Sequence, residues 1–413
     1  MRAASYNRRV TLATTPSPVV DPAADATQRR ELASSIKRWG RELGFAEVAI
    51  CDAHASEPAS MAAEERLVDW LAKDYHGEMD YMARHGTRRA RPAELVPGTL
   101  SIISVRMDYL PRGSEDRVED GEPGNGAWVG QAWRSVGDPT RATISLYAQG
   151  RDYHKVLKSR LKKLAARIEA AVGPLGHRVF TDSAPVMEVE LARRGGLGWR
   201  GKHTLLLSRT GGSMFFLGEL FVDMALPADA PVADHCGTCR RCIDVCPTQA
   251  IVAPYVLDAR RCIAYLTIEL PGSIPLEFRP LIGNRVFGCD DCQLVCPWNK
   301  FAGRASVADF DTRGLDDATL IELFAWTENE FLTRTEGSAI RRIGHERWLR
   351  NLAVGLGNAL AAALQDGQRG VDAANEGAMR TALAARIHHP SALVREHVAW
   401  ALDQKPVRAA HSS

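Results

Sequence analysis

CGTCRRCIDVCPTQAI (236–251) and GCDDCQLVCPWNKFA (288–302) decide how this chain is read. The first run spaces Cys236, Cys239, Cys242 and Cys246 as C-x2-C-x2-C-x3-C-P. The second spaces Cys289, Cys292 and Cys296 as C-x2-C-x3-C-P, with Cys262 upstream. Two-residue gaps let a turning backbone present three thiolates to three corners of one iron–sulfur cube. The fourth cysteine of such a run starts a helix that points away, so it ligates the other cluster. Proline after that cysteine suits a first helical turn, where its missing N–H costs nothing. Spacing therefore assigns Cys236, Cys239, Cys242 and Cys296 to one [4Fe-4S] cluster. Cys246, Cys289, Cys292 and, by elimination, Cys262 hold a second. Zinc sites bring four ligands in separated pairs, which is not this pattern. Cys51 ends a strand pattern and reads as a small buried hydrophobe.

The composition fits a soluble globular protein of two or three domains: 413 residues, 45% hydrophobic and 25% charged. No apolar run approaches the ~18 residues of a membrane span. The net charge of +2 is too small to argue for a nucleic-acid partner. Arg8-Arg9 precede TLATTPSPVVDPAADA, which prolines break too early for an export signal. Residues 1–28 are expected to be a disordered tail and the protein cytoplasmic, where grouped cysteines read as metal ligands rather than disulfides.

Outward from the cysteines, apolar periodicity predicts a helix from 29 leading into a strand near 50. A second helix is expected over 64–84, and a strand at Thr99–Val105. Residues 110–141, rich in Gly, Pro, Asp and Glu, read as a long surface loop with no assignable role. A strong helix is expected from Lys155 to Ala171, with Val156, Leu157, Leu161, Leu164 and Ile168 on its apolar face. Then come a strand running into a loop at 177–184, a helix at Glu188–Arg194, and strands at Lys202–Ser208 and Met214–Val222. After about 315 strand signals vanish. Ile340–Leu364 and Met379–Leu402 suggest paired helices. No GxGxxG after a strand and no P-loop appears, so nicotinamide and P-loop nucleotide sites lack their signatures.

Five blocks, in order, resemble the epoxyqueuosine reductase family: YAQGRDYHKVLKSRL (147–161), DSAPVMEVELARRGGLGWRGKHTLLL (182–207), 236–251, LDARRCIAYLTIEL (257–270) and GNRVFGCDDCQLVCPWNKFA (283–302). The resemblance runs from about 30 to 300 and more loosely to the C-terminus. It implies an α+β fold: a nitroreductase-like cobalamin-binding domain (29–232), a ferredoxin-like two-cluster domain (233–302) and an all-α HEAT-like domain that grips tRNA (303–413). It implies reduction of the epoxide of epoxyqueuosine at the tRNA wobble position, the last step of queuosine biosynthesis. The cofactors implied are cobalamin, as cob(II)alamin, and two [4Fe-4S] clusters. A monomer fed by an external low-potential electron donor, with no membrane partner, is expected.

The family's acid corresponds to Asp182. On the residues alone the favoured reading of Asp182 is a helix N-cap; as an acid it should be buried, with a raised pKa. The resemblance places Arg89 near the corrin ring, and Lys202, His203 and Leu206 of the 201–207 stretch in the cobalamin pocket. It adds Gly288, Cys289, Asp290 and Asp291 as cobalamin contacts, with Gly288 allowing close backbone approach. Ala264, where many relatives carry serine, offers packing only. Arg193-Arg194, Arg240-Arg241, Arg260-Arg261 and Arg341-Arg342, with Arg200 and Lys202, are either phosphate contacts or a solvated face. A reductive dehalogenase and a simple electron carrier are the rival readings. The first fits poorly with the helical C-terminus, and the second needs no corrinoid.

Overall fold

The computed structural model describes residues 22–54, 58–112, 127–362 and 372–404. The first helix, α1 (Pro22–Glu42), starts seven residues before the expected helix start at 29, so the last residues of the expected tail are helical. Residues 1–21 lie outside the described residues. Ala33 and Ile36 are buried on its inner face, with Leu32, Trp39 and Leu43 packed beside them. Gly44, at φ +90°, turns the chain into β1 (Glu47–Asp52). Helix α2 (Pro58–Ala72) follows, and the remainder of 64–84 is turns and one 3-10 segment rather than helix. Every residue of β2 (Ser101–Asp108) is buried, as the central position of the sheet requires.

The expected loop at 110–141 is corrected in part. Residues 127–137 form α3 (Ala127–Gly137), whose Trp128 is buried in the core, while 113–126 lie outside the described residues. Helix α4 (Tyr153–Val172) buries all five apolar residues expected of it, together with Ala165. Asp152 caps it by accepting the His154 amide. Strand β3 (His177–Phe180), helix α5 (Glu188–Arg194) and strand β4 (Phe215–Val222) complete this half. The expected strand at 202–208 shrinks to Leu206–Leu207, paired with Trp199–Arg200 in a small hairpin. The four long strands form an antiparallel sheet in the order β1-β2-β4-β3. Gly218 lets α4 lie close on that sheet, since a Cβ there would stand 2.9 Å from Leu161 Cδ1. The arrangement is α+β, with helices on both faces of an antiparallel sheet.

The cysteine-bearing segment has little regular structure, because its backbone turns to present thiols. Short helices at Arg241–Asp244 and Asp291–Leu294 follow each x2 spacing. Pro297 opens a 3-10 helix capped by Cys296, as expected, whereas Cys246-Pro247 enters only a turn. Main-chain pairing stitches this segment to the first half. Strand 285–287 runs parallel to 143–144, and the Ser145 amide donates to Phe287 O at 2.8 Å.

Beyond 303 no described residue lies in a strand, apart from isolated bridges at Arg304 and Thr319. Capping boxes at Thr319/Glu322 and Thr327/Glu330 start two short helices. Helix α6 (Gly344–Ala362) follows a 3-10 turn over 339–343. The block expected at 379–402 is two helices, α7 (Ala373–Ala384) and α8 (Ala392–Leu402), separated at His389-Pro390. One core unites these helices with Ile268, Val286 and Phe287 of the cysteine segment. The guanidinium of Arg350, fully buried on α6, donates to the carbonyls of Leu266, Leu270 and Gly272 at 2.6–2.8 Å. Asn351 donates to Thr267 O and Val286 O, both at 2.8 Å. No helix among the described residues is long and apolar enough to cross a membrane.

Candidate active site

All nine thiols are free. Burial, and then the charges of Cys236, Cys242 and Cys239, push Cys296 to about 11. Burial, and then Cys262, Asp290 and Cys246, raise Cys292, while Cys246 also acts on Cys262. Cys242 acts on Cys292 as well, so the thiols of both runs lie within electrostatic reach of one another, with Cys296 beside the first run and Cys246 beside Cys262 and Cys292. Among the described residues no three His, Cys, Asp or Glu side chains are close enough to share a single ion. The four-thiol sets fit a group larger than one ion. Cys239 is exposed and Cys242 buried, so the first set reaches the surface. Cys51 is buried under the sheet, and burial pushes its thiol to about 12, which makes it inert.

Asp182 follows β3 in a left-handed turn (φ +47°). It is not an N-cap: α5 starts six residues later, behind Met187. Its carboxylate is crowded by protein, yet half its side-chain surface is open, so it lines the floor of an open cleft. Tyr153 Oη donates to Asp182 Oδ2, and His154 Nε2 stands 3.2 Å from the same oxygen. Among the described residues no hydrogen bond reaches Oδ1. The other ring nitrogen of His154 meets Asp152 Oδ1 at 2.8 Å. Burial raises the Asp182 pKa, but the hydrogen bonds from His154 and Tyr153 and the nearby charges of His154 and Arg342 outweigh it. The carboxyl is held below its ordinary range. This overturns the expectation of a raised pKa. The proton sits instead on His154: burial lowers its pKa, but the Asp152 and Asp182 carboxylates raise it to about 9.

Around this floor stand Tyr81, Tyr147 and Arg342, all within electrostatic reach of Asp182. Tyr147 makes an edge contact with Tyr153 (5.9 Å between centroids) and lies 6.2 Å from Phe287, two residues before Cys289. Arg342 is ion-paired to Glu269. Tyr147, Tyr153 and His154 lie just before the helix expected from Lys155 and carry no role in the site in the sequence reading. Asp-Tyr-His opening an amphipathic helix was the available signal.

The other expected contacts divide. Arg89 is buried and donates to the carbonyls of Met82 (3.0 Å) and Tyr81 (2.6 Å), so it shapes the cleft wall through Tyr81. Lys202 Nζ donates to Gly237 O and Cys239 O at 2.7 and 2.9 Å, which ties it to the first cysteine loop. Leu206 is buried in its hairpin. His203 is buried with Nε2 unpartnered, and burial lowers its pKa to about 4. Gly288 (φ +72°) leaves no room for a side chain, whose Cβ would meet Ser145 Cβ at 2.7 Å. Asp290 accepts from Ser145 Oγ (2.5 Å) and the Leu146 amide (2.8 Å). Asp291 is paired with buried Arg285 at 2.6 Å. Both line a cavity of about 120 Å³ beneath α3, with Trp128 and Leu294, rather than the Asp182 floor. Ala264 is partly exposed at the start of a π-helical turn (Tyr265–Glu269). Most of the basic pairs are used within the chain: Arg193 on Glu190, Arg194 on Asp52 O, Arg240 on Asp244, Arg260 on Asp258, Arg261 on Thr248 O.

Comparison with known proteins decides between the readings. Residues 235–299 match the family model of the 4Fe-4S double cluster binding domain, and 89–183 match that of epoxyqueuosine reductase QueG, DUF1730. Over 390 residues the chain is 61% identical to the epoxyqueuosine reductase of Burkholderia pseudomallei (strain K96243), covering 92% of this chain and 93% of that one. This chain belongs to the epoxyqueuosine reductase family. It is 59% identical over 375 residues to the epoxyqueuosine reductase of Alicycliphilus denitrificans, covering 91% and 98%. Among solved structures it shares its fold with an epoxyqueuosine reductase crystallised with a tRNA-Tyr epoxyqueuosine-modified stem loop. That match has a TM-score of 0.71 at 21% identity and covers 91% and 99% of the two chains. The family's 4Fe-4S module therefore spans all eight grouped cysteines.

Proposed function

We propose that this chain reduces epoxyqueuosine to queuosine in tRNA, with Asp182 as the group that hands protons to the departing oxygen. The observation that carries the reading is the half-open Asp182 carboxylate held by Tyr153 and His154, joined through Tyr147 and Phe287 to the cysteine segment. Family membership supplies the substrate. Epoxide to alkene consumes two electrons and two protons and releases water, so both a reductant and a proton source must meet at one carbon–oxygen pair.

The eight cysteines, in the two sets above, would hold two [4Fe-4S] clusters. A large flat cofactor would sit over the exposed side of Asp182, where Tyr81 and Tyr147 stand near and Arg342 offers a cation. Cobalamin, when bound there, supplies the low-valent cobalt that makes two-electron reduction of an epoxide feasible. Arg89, through Tyr81, with Ala264, and the main chain at Gly288 and Cys289 are the parts of the expected contact set still free to face it. Lys202, Leu206, Asp290 and Asp291 support the structure behind it.

The protein's own chemistry follows from the low Asp182 pKa. A carboxyl that is ionised at rest is a carrier rather than a store. His154, protonated near neutral pH, gives its proton to Oδ2, Asp182 turns it toward the substrate oxygen, and Asp152 steadies the imidazole. The helical portion beyond 303 is proposed to hold the tRNA stem, and an external low-potential donor to serve the exposed Cys239 side.

The test is turnover on tRNA bearing epoxyqueuosine by anaerobic, cluster-loaded, cobalamin-supplied protein. Queuosine should form with wild type. Asp182→Ala should keep its iron and bound cobalamin and lose turnover. Wild-type rates in that variant would remove Asp182 from the chemistry. Epoxyqueuosine should accumulate in tRNA from cells lacking the protein.

A further inference from the structure

FFLGELFV (215–222), the sequence of β4, carries a glutamate that the chemistry above does not use. Glu219 is fully buried, and neither carboxyl oxygen meets a donor among the described residues. It stands in register with Ser104 of β2, whose buried hydroxyl also lacks a partner, and with Phe180 of β3, two residues before Asp182. Its carboxyl lies within hydrogen-bonding reach of that of Glu188, in the first turn of α5, so a proton on either would be shared. Glu188 in turn uses Oε1 to accept the Asp182 amide at 2.5 Å. That amide belongs to the left-handed Asp182, a sparsely populated conformation that aspartate tolerates better than most side chains and that the Glu188 contact helps to hold.

We propose that Glu188 and Glu219 share one proton and together latch the Asp182 loop, as positioning residues whose deprotonation releases it. Two carboxylates in one buried space cannot both be charged. With a single proton between them each satisfies the other, and Glu188 keeps an oxygen for the Asp182 amide. When that proton leaves, the two charges repel. Glu219, in mid-strand, has no exit, but Glu188 is partly exposed and swings out, and the turn loses the acceptor that fixes it.

The groups facing the pair are Asp182 on the loop, Tyr153 and His154 on α4, and Cys51 on β1, whose thiol stays neutral. Burial, and then the charge of Asp182, raises Glu188; burial, and then Glu188, raises Glu219. The latch rests on the reading of Asp182 as proton carrier only for its effect on turnover. The restraint on the loop does not depend on it.

Hydrogen exchange on the cluster-loaded full chain, without tRNA, reads the latch directly. Peptides spanning 181–187 would be followed from about pH 6 to about pH 10, corrected for intrinsic exchange. In wild type, protection should fall by about tenfold or more as pH rises. Glu219→Gln, a neutral side chain of the same shape, should keep protection across the range. Glu188→Ala should lack it at every pH, with kcat lowered and the KM for tRNA little changed. Glu188→Gln, which can still accept the amide, should also lose the pH step; it serves if the alanine variant does not fold by cluster absorbance and circular dichroism. A wild-type step surviving in Glu219→Gln or Glu188→Gln, or wild-type protection in Glu188→Ala, overturns the proposal. Full turnover by Asp182→Ala would instead overturn the catalytic reading and leave the exchange result standing.

Discussion

His154 Nε2 lies 3.2 Å from Asp182 Oδ2, and the opposite ring nitrogen lies 2.8 Å from Asp152. An imidazole between two carboxylates is charged at neutral pH. Burial opposes that charge and the two carboxylates more than compensate, so the group titrates near pH 9. The sign follows: its contribution to stability is complete below the ordinary imidazole pKa of ~6.5 and is lost as pH rises through about 9. Turnover should decline over the same alkaline range. His154→Gln should lower kcat and remove that part of the pH profile; an unchanged alkaline limb in the variant would separate His154 from proton supply.

Tyr153→Phe isolates the second donor on Oδ2. The ring stacks on Phe216 at 4.2 Å and would stay, while the hydroxyl would go. Thermal or urea unfolding should show a loss of about 1 kcal/mol, that of one hydrogen bond. The Asp182 pKa should move upward. With one of its two partners gone, kcat should fall by about tenfold, or ~1.4 kcal/mol of barrier.

The cysteine assignment predicts different outcomes for two thiols, one partly buried and one buried. Cys262→Ala should lose the second cluster and leave about half the iron, with one cluster signal in the electron paramagnetic spectrum. Cys51→Ala should retain full iron. In native protein Cys51 should resist alkylation at neutral pH, since burial holds its thiol near 12. Loss of iron in Cys51→Ala would reopen the ligand set.

Arg350→Met leaves three carbonyls on 266–272 without donors, on a helix that is otherwise well packed. A loss of about 3 kcal/mol or more is expected from unsatisfied buried acceptors. Iron retention on mild heating should fall in parallel, because Cys262 precedes the stranded segment.

What could be read from the sequence depended on how local the constraint was. Cysteine spacing is a local code, and α4 declared itself through its apolar stripe. Asp182 was visible as a position but not in its protonation, because that depends on Tyr153 and His154, which meet it only when α4 docks beside β3. The neighbours of Lys202 and Gly288, Gly237 O with Cys239 O and Ser145 Cβ, could not be read from the sequence, because segments distant in the chain bring them. The helix at 127–137 was hidden by its polar, glycine-rich surroundings, and only its packing of Trp128 into the core reveals why it forms.

The guanidinium of Arg350 also limits how the molecule can bend. It reaches from the C-terminal helices into the turn that follows Cys262, and a hinge between the two would have to strip it of every acceptor it has there. The cysteine segment and the helical half are thereby tied across this contact, so a displacement of α6 is resisted at the turn beside a thiol.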